Sequence, residues 1–191
     1  MKEDQFSDLV KKLLSDTFEQ LGYKFSDDCF FLNRSNGFSN VVSFDFDGNK
    51  SFRVFVGVDY PYDQEFDKDV PPEGARLCRY FTGGSLSENP KDIFFKNEQQ
   101  LIQHLERFKG FFVNVIKPDF FDAVKTPEDY ADSLPETECI VKFEIYKNEK
   151  VNKKAIDEAK VVIDSYKNML DIPKIKRFID NEVKAFLSAN T

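Results

Sequence analysis

The chain has 191 residues, and 41% of them are hydrophobic and 15% aromatic, which excludes a disordered or collagen-like polymer and is enough for a self-sufficient core. Lys and Arg number 27 against 34 Asp and Glu, a formal charge of −7. That balance opposes both a broad nucleic-acid surface, which needs clustered positive charge, and approach to an anionic membrane. Residues 1–149 carry −10 and residues 150–191 carry +3, so a basic helical tail follows an acidic body.

The opening helix is predicted over about 4–21. Phe6, Leu9, Val10, Leu13, Leu14, Phe18 and Leu21 recur at three- and four-residue steps and form one apolar stripe. Gly22 follows at once and suits a positive-φ cap.

Residues 28–58 read as a three-stranded antiparallel meander. Asn36–Gly37 suits a two-residue type I′ turn, and Gly48, Asn49 and Lys50 suit a three-residue one. With those loops, Phe31 faces Val42, Cys29 faces Phe44, Phe44 faces Val54 and Phe46 faces Phe52. One sheet face then gathers Cys29, Phe31, Val42, Phe44, Phe46, Phe52, Val54, Val56 and Val58. The other carries Phe30, Leu32, Val41, Ser43, Asp45, Arg53, Phe55 and Gly57. The apolar face is expected to lie beneath the opening helix, because a slip of one residue would turn it to water.

Residues 59–75 interrupt the pattern with Pro61, Pro71, Pro72 and Gly74. They concentrate six acids, Asp59, Asp63, Glu65, Asp67, Asp69 and Glu73. A fourth strand follows at 76–81 (RLCRYF), then a loop over 82–92 in which Gly83–Gly84 marks a tight turn.

A second helix is predicted over about 96–110, ended by Gly110, with a helix or turn ending near Lys117 before Pro118. Thr126, Pro127 and Asp129 are placed as N-cap, first and third residues of a short helix reaching about Leu134. Residues 139–147 fit both periods; the alternation of Val141, Phe143 and Ile145 with Lys142 and Glu144 favours a strand. Helices are predicted over 152–169 and 174–189. The fold class is therefore α+β, with an antiparallel sheet of about four strands packed against helices. Residues 1–134 form the main domain, and residues 135–191 a mostly helical extension packed on the same body.

Familiar site chemistries do not fit the residues. A single histidine, His104, removes multi-histidine zinc sites, and its place in QQLIQHLERF makes it an exposed or boundary helix residue. Cys29, Cys78 and Cys139 are widely spaced, odd in number and without a CxxC pair, which reads as three thiols in a reducing compartment. The acidic segment fails the calcium-loop spacing, with Gln64 or Lys68 at the sixth position and Val70 or Gly74 at the twelfth. GGSLS at 83–87 lacks the lysine of a phosphate-binding loop. Asp45 and Arg53 read as a cross-strand ion pair. No cofactor is expected. The charged opening MKEDQFSDLVKKLL and the lack of a long apolar run point to a cytoplasmic protein without a membrane partner.

The residues left for recognition are Asp59, Tyr60, Tyr62, Asp63, Asp67, Asp69, Arg76, Arg79 and Tyr80, where Tyr and Arg, the types enriched at interface centres, flank the acids. They point to a non-enzymatic domain binding an unidentified, basic protein, for instance as an inhibitor or accessory factor. A carboxylate-based hydrolase or transferase, with or without a divalent cation, which needs acids converging in a cleft, and a small-ligand module with a pocket in the aromatic-rich core are the alternatives.

The order of segments LGYKF, CFFLNRSNG, FSNVVSFDF, FRVFVGVDYP, RLCRYF, LIQHLERF and DFFDAVKTPEDYADSL resembles a family of bacterial domains of unknown function. That family has an opening helix ending in an LGF-type sequence and a phenylalanine-rich hairpin after it. The resemblance spans roughly residues 5–134. It implies a small bacterial accessory or partner-binding protein and carries over no catalytic residue.

Overall fold

The computed structural model of the protein describes residues 1–26, 29–48, 50–60 and 77–190. The fold is α+β, with an antiparallel sheet against helices and a helical C-terminal part. It divides into two compact units, Met1–Lys125 and Thr126–Thr191.

In the first unit, helix α1 (Glu3–Gln20) buries Phe6, Val10, Leu14 and Phe18 of the predicted stripe and leaves Leu9 and Leu13, with Leu21 just beyond it, half-buried. Gly22 takes φ +86° just beyond it. Seven strands follow among the described residues: β1 (Lys24–Ser26), β2 (Cys29–Asn33), β3 (Ser39–Phe46), β4 (Ser51–Asp59), β5 (Leu77–Phe81), β6 (Leu86–Ser87) and β7 (Ile93–Phe94). Strands β1 to β6 pair in chain order, and β7 pairs with the part of β4 that β5 leaves free. The four long strands are those expected. The three added ones are two or three residues long, too short for alternation to mark them.

The second hairpin keeps its predicted register, with Phe46 opposite Phe52, Phe44 opposite Val54 and Asp45 opposite Arg53. The first does not. Phe30, not Phe31, faces Val42, and Cys29 faces Ser43. The cause lies in the turn. Gly37 has φ +89°, while Asn36 stays at negative φ, so the type I′ geometry is not formed. The Gly37 amide donates to the Arg34 carbonyl (3.1 Å) and the Arg34 amide to the Phe38 carbonyl (2.7 Å). The loop is thus three residues, Ser35, Asn36 and Gly37, with glycine in the left-handed position. One extra loop residue turns Phe30 and Leu32 to the helices, and Cys29 and Phe31 to the opposite face.

The helix-covered face is aromatic. Phe6 stacks on Phe46 at 4.9 Å, Phe18 on Phe30 at 4.3 Å, and Phe44 meets Phe108 edge-on at 5.3 Å. Phe108 belongs to α2 (Glu98–Phe111), which joins α1 over the sheet. Full burial of each ring is worth up to about 3 kcal/mol of apolar transfer. On the other face Cys29, Phe31 and Val41 form a smaller buried cluster with Phe55 beside it.

Gly110 does not end α2. The helix runs on to Phe111 and passes directly into a π-helical stretch, Phe112–Phe121, holding Phe112, Ile116 and Phe121 in the core. Pro118, with no N–H to donate, sits inside that wider winding, which closes with the Asp122 amide on the Lys117 carbonyl (2.8 Å).

The second unit is helical. Helix α3 (Pro127–Ser133) is capped as predicted: the Thr126 hydroxyl accepts from the Asp129 amide (3.1 Å) and the Asp129 carboxylate from the Thr126 amide (3.0 Å). Residues 139–147 are not a strand. They form α4 (Cys139–Asn148), which buries Cys139, Val141, Phe143, Ile145 and Tyr146. A helix buried on more than one side loses its single stripe, and its apolar residues then alternate as a strand's would. Cys139 and Phe143 pack on Ala159 and Val162 of α5 (Asn152–Tyr166) and on Val183. Val183 lies in the π-turn 179–184 between α6 (Pro173–Phe178) and α7 (Ala185–Asn190).

Candidate functional site

The candidate residues lie where β4 leaves the sheet and β5 returns. Val58 stands opposite Leu77, so the connecting segment starts and finishes on adjacent strands. Tyr62, Asp63, Asp67, Asp69 and Arg76 lie in that segment, outside the described residues.

Asp59 closes β4 opposite Ser39. Tyr60 follows, and its ring stacks on Phe38 at 4.8 Å. The Arg34 guanidinium lies 5.0 Å from the centre of the Phe38 ring, so Phe38 carries both side chains. A Cβ on Gly37 would approach Tyr60 to 3.8 Å, ordinary contact distance. Tyr60 is therefore seated on the β2–β3 loop.

That loop is itself tied down. Arg34 donates through Nη1 to the carbonyls of Phe121 (3.2 Å) and Val124 (2.8 Å), and Asn36 donates through Nδ2 to the Lys125 carbonyl (3.1 Å). The Nε and Nη2 atoms of Arg34 are buried without an acceptor among the described residues. Burial pushes this guanidinium below its ordinary pKa, while Tyr23 and Asp122 oppose the change. Tyr23 is buried in the same region and accepts from Asn40 Nδ2 (3.2 Å), and burial raises its phenol pKa.

Arg79 and Tyr80 are neighbours on β5 and so project to opposite faces. Arg79, opposite Val56, donates to the Cys78 carbonyl (2.7 Å) and pairs with Glu88 (3.1 Å). Tyr80, opposite Phe55, meets that ring edge-on at 5.9 Å. Asp59 shares the Tyr80 face, but four strand residues separate it from Phe55, roughly 13 Å along β4. The structure thus joins Tyr60 to the β2–β3 loop and sets Tyr80 on the Asp59 face. It turns Arg79 away, onto an acid of its own.

The remaining sequence candidates are placed as follows. Arg53 lies 3.7 Å from Asp45 as the register required, but its closer partner is Asp92 at 2.5 Å. His104 is a boundary residue of α2, half-buried with its ring against Phe52. Cys29, Cys78 and Cys139 form no disulfide among the described residues, and the Cys29 thiol donates to the Ser26 carbonyl (3.1 Å). Among the described residues no three His, Cys, Asp or Glu side chains are grouped to hold a metal ion, and no helix is long and apolar enough to cross a membrane.

Arg34 was not marked by the sequence. In NRSNG it reads as a solvated turn residue, and nothing local tells that distant carbonyls will receive it. Compared with known proteins, the chain matches no family model, no curated protein and no solved structure. The resemblance to a bacterial domain family rests on the residues quoted for it alone.

Proposed function

We propose that the protein is a non-enzymatic, cytoplasmic binding domain that recognises a basic protein partner at the end of the sheet where β4 and β5 meet. The observation that carries this reading is the pairing of Val58 with Leu77 beside a seated Tyr60. That pairing anchors both ends of a segment holding five acids, Asp63, Glu65, Asp67, Asp69 and Glu73, against Lys68 and Arg76. An excess of negative charge attached to a fixed base speeds encounter with a positively charged surface and disfavours acidic competitors. Tyr60 supplies rigid amphipathic area at that base, of the kind that dominates interface energetics, and Tyr80 extends the Asp59 face farther along the sheet. Three cysteines outside any disulfide suit a reducing compartment.

The test is capture from cell extract with the immobilised wild type and with the triple variant Asp63→Asn, Asp67→Asn, Asp69→Asn. The reading predicts a basic protein retained by the wild type at low salt, released as ionic strength passes a few tenths molar, and retained at least tenfold less by the variant. Identical retention by both proteins would overturn it.

A further inference from the structure

A second region, at the β5–β6 turn, has chemistry that neither the fold nor the proposed partner uses. Strands β5 and β6 are joined by Gly83–Gly84, with the Thr82 amide on the Ser85 carbonyl (2.9 Å). Gly83 has φ +91° and Gly84 does not, the pattern of a type II′ hairpin turn. The turn borders a groove of about 470 Å³, lined among others by Thr82, Ser85, Asp92, His104 and Arg107.

His104 and Arg107 are three residues apart on α2, so both project from one side of the helix toward the turn. Arg107 has no carboxylate or carbonyl acceptor among the described residues, in a protein with 34 acids. Its position is nonetheless defined. A Cβ on Gly84 would come within 3.2 Å of Arg107 Nη2, so the guanidinium lies close over the bare backbone of the turn. His104 Nε2 is buried and has no hydrogen-bond partner among the described residues, an unmet polar group of the sort that folded proteins rarely keep without a use. Thr82 Oγ1 donates to the Ser85 carbonyl (3.2 Å) and lies 2.7 Å from Ser85 Oγ, so the turn holds both hydroxyls on the rim of the groove. Asp92, the one acid on the lining among the described residues, is already held by Arg53 at 2.5 Å.

We infer that this groove binds an oxyanion, a phosphate or carboxylate group, gripped by Arg107 over the Gly83–Gly84 turn with His104 and Ser85 beside it. A planar guanidinium with two parallel N–H donors matches either anion, and no carboxylate among the described residues pairs with it. The absence of a side chain at Gly84 is part of the site, since it lets the guanidinium rest against the turn. This is not the lysine-containing phosphate loop that the sequence lacks. It is a hairpin turn paired with one helix face. The inference does not depend on the partner proposed above, because among the described residues the groove shares none with that surface.

His104 is the only histidine, so its imidazole proton resonances report the groove without assignment. The experiment titrates the full chain at fixed pH and constant ionic strength with inorganic phosphate, with acetate, and with chloride as the background anion. The titratable or charged groups facing His104 here are Arg107 and Asp92, the latter bound to Arg53.

A saturating shift of the His104 resonances with phosphate or acetate, absent with chloride, is expected. Saturation by phosphate alone assigns a phosphoryl ligand, and saturation by acetate alone or by both assigns a carboxylate-sized oxyanion. Arg107→Ala should weaken the apparent affinity at least tenfold, and Gly84→Ala several-fold by displacing the guanidinium. Arg107 is exposed, so its loss leaves the fold intact and the comparison valid. Shifts that stay linear and equal in all three salts, or saturation unchanged in Arg107→Ala, would overturn the inference.

Discussion

Phe18 of α1 stacks on Phe30 of β2 with ring centroids 4.3 Å apart, and this contact identifies which face of the first hairpin the helices cover. Phe18 also meets Phe112 at 4.3 Å, so one ring links the opening helix, the sheet and the π-helical stretch after α2. Both rings of the Phe18–Phe30 pair are fully buried.

Removal of that contact should be costly. Phe30→Ala is expected to lower unfolding free energy by about 3–5 kcal/mol, through lost apolar transfer and a cavity that cannot collapse. Phe55→Ala, on the opposite face and half-buried, should cost only about 1 kcal/mol. Urea denaturation of the two variants checks the order, which the register expected from the sequence would narrow or reverse.

The contrast shows what could be read in advance. Alternation from Phe44 to Val58 is unbroken and a three-residue second loop suits Gly48, so the second hairpin was legible. In CFFLNRSNG, Cys29, Phe30, Phe31 and Leu32 are all apolar, and either register buries a phenylalanine. Only the backbone at Asn36 decides between them, and Asn is compatible with both turns. Similarly, α4 lacks a single stripe because it is covered on several sides, whereas α1 and α3 were readable from one face and one cap. For the candidate site, residue types and the alternation that parts Arg79 from Tyr80 were legible, but which sheet face each takes, and the Arg79–Glu88 pair, needed the sheet neighbours of β5.

The two glycines bounding mistaken expectations should respond with opposite signs. Gly37→Ala places a Cβ at φ +89° and should destabilise by about 1–2 kcal/mol. Gly110→Ala, in a helix with open space around the new methyl, should stabilise by about 0.5–1 kcal/mol. Thermal denaturation of both variants measures the difference.

Stability at acid pH should depend on Asp132. Burial alone would raise its pKa, but hydrogen bonds from Lys154 (2.6 Å) and Tyr146 (2.8 Å) outweigh that and hold it below the ordinary carboxylate value. A carboxyl depressed in the folded state contributes stability above its unfolded pKa, and that contribution is lost as pH falls through the folded value. Asp132→Asn should therefore flatten the stability profile below about pH 4. Because the side chain is 47% exposed, the loss at neutral pH should stay under about 1 kcal/mol. Chemical denaturation from pH 2 to 7 tests this.

The three thiols should be graded. Cys29 and Cys139 are buried, and Cys78 is half-exposed on β5. Burial pushes the Cys78 thiol up, with Glu88 adding to it and Arg79 opposing, so even this thiolate is scarce at neutral pH. A disulfide reagent should modify Cys78 first and slowly in the native protein, and all three cysteines in denaturant.

Cys78 lies on β5 opposite Gly57, between the Leu77 that closes the sheet end and the Arg79–Tyr80 pair. Its alkylation rate, followed by intact mass with and without the captured basic partner, is the most direct measure of where that partner sits. Docking at the β4–β5 end predicts at least fivefold protection of Cys78, reversed by salt. An unchanged Cys78 rate under saturating partner would place the contact elsewhere and contradict the proposed surface.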